Sequence, residues 1–285
     1  MSIAEILQPA VKKLKNRNII SAELDAELLL ASVLARSREF VLAHPEFKLT
    51  AKQLGRFKSL LERRINYEPI AYILGSKEFF GLELKVNRNV LIPRPETETV
   101  VEMALDYCRR LKIKKPWLID VGTGSGAIAL ALKKTLPQAE VLAVDNSTPA
   151  VALAKQNAKH HELEIKFIKS DLLSRVSDTE LKGSVIVANL PYLSPITIKR
   201  YAPALKRQLA YEPKVALYAG RYGTDAYDNL FRQLVSRPVR PRAVFCEIGP
   251  CHWREYYRVA KKYFPLQKLE IKPDLAGKKR CLIIY

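Results

Sequence analysis

The chain has 285 residues, 48% hydrophobic and 27% charged, the size of one large or two ordinary soluble domains and too apolar for a disordered chain. No run reaches the about 18–20 apolar residues of a membrane helix. The first eighteen residues lack an export signal, and Cys108, Cys246, Cys251 and Cys281 form no C-x-x-C pair, so membrane, secreted and metal-cluster readings fall away. The net charge is +19, with 19 Lys and Arg against 7 Asp and Glu in residues 195–285. Such a field attracts polyanions, so ribosome or RNA contact through this basic C-terminal third is an expectation for an otherwise cytoplasmic protein with no metal.

Taken in chain order, the first 66 residues read as helices. Ile3, Ile6, Leu7, Ala10, Val11 and Leu14 recur at helical spacing, as do Leu24, Leu28, Ala31 and Leu34. Ser21 stands at the offset of an N-cap, with Glu23 and Asp25 where the helix dipole favours anions. Thr50 precedes a segment carrying Leu54, Phe57, Leu61 and Ile65. Residues 1–75 are therefore expected to form a small helical bundle, suited to docking a partner. Phe79 to Val86 reads as β structure around a glycine turn, making 76–93 a β-hairpin linker. Pro95 with Glu96 and Glu98 opens a new helix, and 94–285 is expected to be one further domain. Within it, Trp117–Val121, Val141–Asp145, Ile165–Ile168, Val185–Ala188, Ala243–Ile248 and Cys281–Tyr285 are short apolar runs. Helical periods over Gly126–Leu136 and Pro149–His160 alternate with them. Such alternation predicts an α/β fold with a largely parallel sheet covered on both faces.

Between the first of those strands and its helix lies Asp120-Val121-Gly122-Thr123-Gly124-Ser125-Gly126. Glycines here let backbone approach a ligand closely. A dinucleotide site would need G-x-G-x-x-G, but Ala127 stands where its third glycine belongs, and no Gly-Lys-Ser/Thr phosphate loop is present. The loop resembles the cofactor loop of S-adenosylmethionine-dependent methyltransferases, which implies glycines beside the methionine portion and Asp120 near its ammonium. Asp145 ends the next strand, where a carboxylate can accept both ribose hydroxyls. Asp171, with Leu172, ends the third, where such enzymes commonly hold adenine.

Val185 to Ala188 runs into Asn189-Leu190-Pro191-Tyr192. Methylating a planar nitrogen is hard because its lone pair is delocalised. Accepting hydrogen bonds from both N–H groups would turn the lone pair toward a methyl donor. The Asn189 side-chain oxygen and the Leu190 carbonyl are the two candidate acceptors. Pro191 fixes the backbone, and Tyr192 offers a flat face to an amide or base. Asn189, Pro191 and Tyr192 are the expected catalytic residues, and Asn189 also borders the cofactor. In-line positioning in a preorganised polar site would supply the catalysis.

Longer blocks narrow the class. Glu68-Pro69-Ile70-Ala71-Tyr72-Ile73-Leu74-Gly75, Glu78-Phe79-Phe80-Gly81 and Leu91-Ile92-Pro93-Arg94-Pro95-Glu96-Thr97-Glu98 occur in that order. They are followed by Asp120 to Leu130, Tyr211-Glu212-Pro213, Glu247-Ile248-Gly249 and Asp274 to Arg280. Together they resemble the release-factor glutamine methyltransferases (the HemK/PrmC group). That resemblance implies a seven-stranded class I methyltransferase (Rossmann-like) sheet, preceded by the helical domain and hairpin. It also implies methyl transfer from S-adenosylmethionine, leaving S-adenosylhomocysteine, to the glutamine side-chain amide in the Gly-Gly-Gln motif of peptide-chain release factors. Carried over, Gly122, Thr123, Gly124, Ser125 and Gly126 line the cofactor, Asp145 meets the ribose, and Asp171 and Leu172 lie by the adenine. Asn189, Leu190, Pro191 and Tyr192 hold the glutamine amide, and a monomer is implied. One departure stands out: the family reads Asn-Pro-Pro-Tyr, whereas Leu190 here gives the Asn-Leu-Pro-Tyr of ribosomal-RNA adenine dimethyltransferases. Methylation of adenine in ribosomal RNA is the alternative, and a non-catalytic methyltransferase fold a third reading.

Overall fold

A computed structural model describes every residue from Met1 to Tyr285. The chain divides into two compact units, residues 1–75 with 201–211, and residues 76–200 with 212–285. No helix is long and apolar enough to cross a membrane.

The smaller unit holds α1 (Ile3–Lys15), α2 (Ala22–Leu34), α3 (Arg38–Ala43), α4 (Ala51–Ile65) and α5 (Ile70–Leu74). Two starts follow from sequence chemistry: Ser2 with Glu5 and Thr50 with Gln53 form reciprocal capping boxes, each satisfying backbone donors that a helix start leaves free. Ser21 departs from expectation. It makes no cap bond, and its hydroxyl instead donates to Asp25 Oδ2 at 2.9 Å. Asp25 is not a surface dipole residue either, because Arg64 Nε of α4 meets the same oxygen at 2.7 Å with both side chains buried. The cause is the place of α2, which packs against α1, α3 and α4 and so buries residues on most sides, Ala22, Ala26, Leu29 and Val33 among them. Leu24, expected in the apolar stripe, is 43% exposed. Residues 201–211 join this unit. The Arg207 guanidinium lies 4.8 Å from the Tyr67 ring centre, and the Tyr211 hydroxyl donates to Asn66 O at 2.9 Å.

The larger unit opens with a hairpin of β1 (Ser76–Phe79) and β2 (Leu82–Lys85). Its two-residue turn puts Phe80 and Gly81 both at positive φ, the geometry whose twist matches the flanking strands. The hairpin belongs to this unit by contact. Asn157, fully buried, donates to Lys85 O and Ser125 O and accepts from Lys85 N, tying the hairpin to the glycine loop.

The main sheet comprises β3 (Trp117–Val121), β4 (Glu140–Asp145), β5 (Lys166–Lys169), β6 (Val185–Ala188), β7 (Ala243–Glu247), β8 (Leu269–Pro273) and β9 (Lys279–Ile284). Its order is β5-β4-β3-β6-β7-β9-β8. The first five are parallel, while β9 runs antiparallel to both β7 and β8. Seven strands in this mixed sheet agree with the expected class I methyltransferase fold. Six of them match the apolar runs of the sequence. Strand β8 alternates its apolar Leu269 and Ile271 with charged residues and ends in proline, so it offers no apolar run like those that mark the others.

Helices cover both faces. They are α6 (Glu98–Arg110), α7 (Ala127–Thr135), α8 (Thr148–His160), α9 (Asp178–Leu181), α10 (Pro195–Lys199), α12 (Asp225–Val235) and α13 (Trp253–Tyr263), while α11 (Pro203–Leu209) belongs to the smaller unit and is not among them. Strand alternation splits the core in two. Leu118 and Phe245 pack with Val100, Leu105 and Leu130 on one face. Ile119 and Val121 pack with Tyr227, Phe231 and Tyr256 on the other. With both faces buried, the carboxyl ends of the strands are the natural place for a ligand.

Candidate active site

The strand order reverses between β3 and β6, and in such sheets the crossovers diverge at that point and open a crevice beyond the carboxyl ends. The pairing of Val121 with Ala188 sets the glycine loop beside the Asn189 turn. A cleft of about 410 Å³ lies there, lined by Gly122, Thr123, Gly124, Ser125, Asp145, Asp171, Leu172, Asn189, Leu190 and Pro191 among others. Its size suits a small-molecule site.

Gly122 and Gly124 adopt φ of +78° and +56°, and a Cβ on Gly122 would lie 2.8 Å from Leu190 Cδ2. At that φ a side chain on Gly122 would be strained, and it would also force the Leu190 side chain to shift. Gly126 differs from the expectation that it lines the cofactor. It caps α7 at φ +88°, and its missing Cβ makes room for Leu130 and Ala154; it serves helix packing and is not among the lining residues.

Asp145 accepts from Gly124 N through Oδ2 and from Ser147 N through Oδ1, each at 2.9 Å. Burial raises its pKa, while those backbone donors pull it back. Its carboxylate retains lone pairs for further donors. Asp120 is fully buried, with Oδ2 accepting from Thr123 Oγ1 at 2.6 Å and Ala129 N at 3.1 Å. Burial pushes its pKa up to about 7, and its Oδ1 has no partner. Leu172 sits at φ +49°, a left-handed backbone that costs a branched side chain energy. The bend turns Asp171 and Leu172 into the cleft wall.

At the end of β6 the Asn189 Nδ2 donates to Thr97 Oγ1 at 2.9 Å, while its Oδ1 is buried without a partner. Buried acceptors left unpaired are rare and costly, so this one is a natural place for a ligand donor. The Leu190 N–H donates to the buried Tyr227 hydroxyl at 3.1 Å. Tyr192 is not where its expected stacking role would put it. Its ring packs against the second core, its hydroxyl donates to Glu247 Oε1 at 3.1 Å, and it is absent from the cleft wall. Burial, then the Glu247 charge, holds its hydroxyl far above the usual phenol range.

Two further residues shape the cleft without a sequence signal of their role. Glu212 is buried and bonds Ile92 N at 3.1 Å and the Arg94 guanidinium. That bond joins the Leu91-to-Pro93 wall to the wall that begins at Pro213. Both residues stood in recognised blocks, but nothing local signals that residues so far apart in sequence would meet.

The lining tests the fit to S-adenosylmethionine. It carries three carboxylates, Asp145, Asp171 and Asp225, and neither Lys nor Arg, in a chain of net charge +19. A pyrophosphate would find no cation there. A sulfonium compound with an ammonium group finds the opposite charge, and the Asp120 oxygen lacks a partner nearby. The residues fit that cofactor.

A seven-stranded sheet of this order, with a glycine loop and an acidic β4 end bordering an anionic cleft, defines a class I S-adenosylmethionine-dependent methyltransferase. The N-terminal domain of human METTL16 in complex with SAH has the same fold, with a TM-score of 0.53 and 16% identity over 90% of this chain and 92% of that one. Residues 108–203 match the methyltransferase small domain, and residues 5–75 the PrmC N-terminal domain. A release factor glutamine methyltransferase of Deinococcus radiodurans is 34% identical over 281 residues, covering 98% of this chain and 97% of that protein. One of Aliivibrio fischeri is 40% identical over 225 residues, covering 78% and 76%. The chain belongs to the release factor glutamine methyltransferase family.

Proposed function

We propose that this protein methylates the side-chain amide nitrogen of the glutamine in the Gly-Gly-Gln motif of peptide-chain release factors. The observation that carries this reading is the Asn189 amide, whose nitrogen is engaged by Thr97 and whose buried oxygen is unpaired. S-adenosylmethionine, when bound, supplies an electrophilic methyl group. Gly122, Thr123, Gly124 and Ser125 would cradle it, Asp145 would accept its ribose hydroxyls, and Asp171 and Leu172 would border its adenine. Asp120 Oδ1 would face its ammonium.

Asn189 Oδ1 and the Leu190 carbonyl would accept the two N–H hydrogens of the glutamine amide. Held so, the amide turns its lone pair out of those bonds and toward the donor. No strong base is required, because the nitrogen becomes acidic once alkylated and its proton can pass to water. Catalysis on this account is positioning in a dry, preorganised site. Pro191 stiffens the turn, and Tyr192 fixes its far end from beneath.

Residues 1–75 are proposed to dock the release factor, acting with the hairpin as a monomeric enzyme in the cytoplasm. The basic residues of 195–285 are proposed to meet an RNA or ribosomal surface; salt dependence of that binding is the check. The ribosomal-RNA adenine alternative is not favoured, since relatives across nearly the whole chain are glutamine methyltransferases by name.

The deciding experiment offers labelled S-adenosylmethionine with purified release factor and with bare small-subunit ribosomal RNA. Label confined to the Gly-Gly-Gln peptide is the expected result. Label on RNA alone would overturn the reading.

A further inference from the structure

Beyond the glycine loop and the Asn189 turn, the cleft has an outer wall formed by residues 213–220, Pro213, Val215 and Tyr218 among them. Its backbone is tied to the acceptor turn. Leu193 N donates to Leu217 O at 2.8 Å and Ala219 N donates to Leu193 O at 3.1 Å, a parallel bridge that sets Tyr218 opposite Leu193. Tyr218 N closes a turn onto Lys214 O at 3.0 Å. Gly220 follows at φ +73°, with the Asp225 carboxylate packed where its Cβ would stand.

Burial alternates along this wall, as an extended backbone dictates. Leu217 and Ala219 are buried anchors, whereas Tyr218 between them is 42% exposed and Val215 is 72% exposed. These two are the exposed large apolar side chains of the cleft lining. Apolar surface left open beside a cleft marks a place that a partner covers. Charge narrows the partner. The lining carries no Lys or Arg, and Asp225 stands at the same wall; Lys214 and Arg221 border the segment in sequence but lie outside the lining. Phosphates on either side of a nucleotide would therefore meet apolar surface and a carboxylate. The main chain of a peptide brings no charge to desolvate there.

We propose that Val215 and Tyr218 contact the main chain next to the target glutamine and are specificity-determining residues for an acceptor segment with small, uncharged neighbours. A side chain on a backbone pinned at three points loses little freedom when it is covered. A glycine peptide plane can lie flat on the Tyr218 ring, while a charged side chain beside the target would be stripped of water against Val215. The inference rests on the reading of the cleft as a glutamine-amide site and adds which part of the substrate the outer wall recognises.

Tyr218→Ala should lower kcat/KM for the release factor about tenfold, while S-adenosylhomocysteine affinity, measured by calorimetry, stays within about twofold of wild type. Tyr218→Phe should behave as wild type, because the ring and not its hydroxyl makes the contact. A release factor carrying Gly-Asp-Gln should be a poorer substrate for the wild type than one carrying Gly-Gly-Gln. Val215→Lys should narrow that difference about threefold or more, a reversal that general damage to the wall would not produce. A Tyr218→Ala enzyme with unchanged kcat/KM overturns the inference and leaves the glutamine reading standing. Equal losses of S-adenosylhomocysteine affinity and kcat/KM in that variant also overturn it, since the ring would then belong to the cofactor. Label on RNA alone in the wild type removes the glutamine reading, and with it a peptide as the occupant of this wall.

Discussion

The Leu190 N–H and the Tyr227 hydroxyl are joined at 3.1 Å in the core of the larger unit, and that hydroxyl also lies within reach of the Ala188 and Glu247 carbonyls. The departure from Asn-Pro-Pro-Tyr is thus accommodated. A proline at 190 has no N–H to give, whereas leucine brings one that a fully buried tyrosine on α12 takes up. Rigidity that a proline ring would supply comes here from a hydrogen bond.

Tyr227→Phe should therefore leave a buried N–H unpaired and destabilise the fold by about 1–3 kcal/mol, read as a lower urea midpoint. Combined with Leu190→Pro, the same change should cost less than it does alone, since the donor is already gone. Simple additivity in that double-mutant cycle would mean that the bond does not pin the turn.

Asn189→Ala should reduce methyl transfer by about 10²–10³-fold, the scale of losing one preorganised polar contact. Cofactor affinity should change little, because the glycine loop and Asp145 are untouched. Comparable loss of cofactor binding would remove Asn189 from the acceptor role.

For Asp145→Ala the expectation is reversed. Losing a charged acceptor should weaken cofactor binding by about 1.5–3 kcal/mol, with release-factor docking unaltered. Fluorescence titration measures the first and co-sedimentation the second. Unchanged cofactor affinity would refute the ribose assignment.

Asp120 lies fully buried behind the cleft lining, and its titration is expected to make cofactor binding pH-dependent. Burial raises its pKa from 3.8 to about 7, so the folded protein holds a proton between those values that the unfolded chain has released. Stability from this group is accordingly greatest below pH 3.8 and falls as pH rises to about 7. A bound ammonium favours the ionised form, so cofactor binding below pH 7 should release protons and weaken with acid. Calorimetry in buffers of different ionisation enthalpy counts those protons. Asp120→Asn should abolish the dependence, and a proton count of zero in the wild type would exclude the contact.

In the smaller unit, Asp25→Ala should destabilise by about 3–5 kcal/mol by stranding the buried Arg64 charge. Thermal unfolding of the full chain gives the value. A change as small as that of a surface residue would show the pair to be solvated.

Much of this molecule was legible from local chemistry. Capping at Thr50, the turn at Gly81, six strands and the glycine loop each follow from a short window of residues, because helix starts, tight turns and buried strands make demands on their own neighbours. The loop, Asp145 and Asn189 could be placed at strand ends for the same reason. Strand β8 escaped because Glu270 and Lys272 separate its apolar residues, whereas β5 at the opposite edge keeps Phe167 and Ile168 adjacent.

Pairings across the chain were decided elsewhere. Asp25 reads as a dipole residue until α4 brings Arg64 to it. Tyr192 reads as a stacking platform until β7 supplies Glu247, and Gly126 as a cofactor contact until α8 presents Ala154. Thr97 gains meaning when the fold carries it to Asn189. Sequence alone determined which backbone forms each element and which class of ligand its strand ends invite, since those are short-range matters of period, capping and side-chain type. Only the tertiary structure decided which buried polar groups meet, because their partners lie far along the chain and the cost of leaving them unpaired is settled when the two ends are brought together.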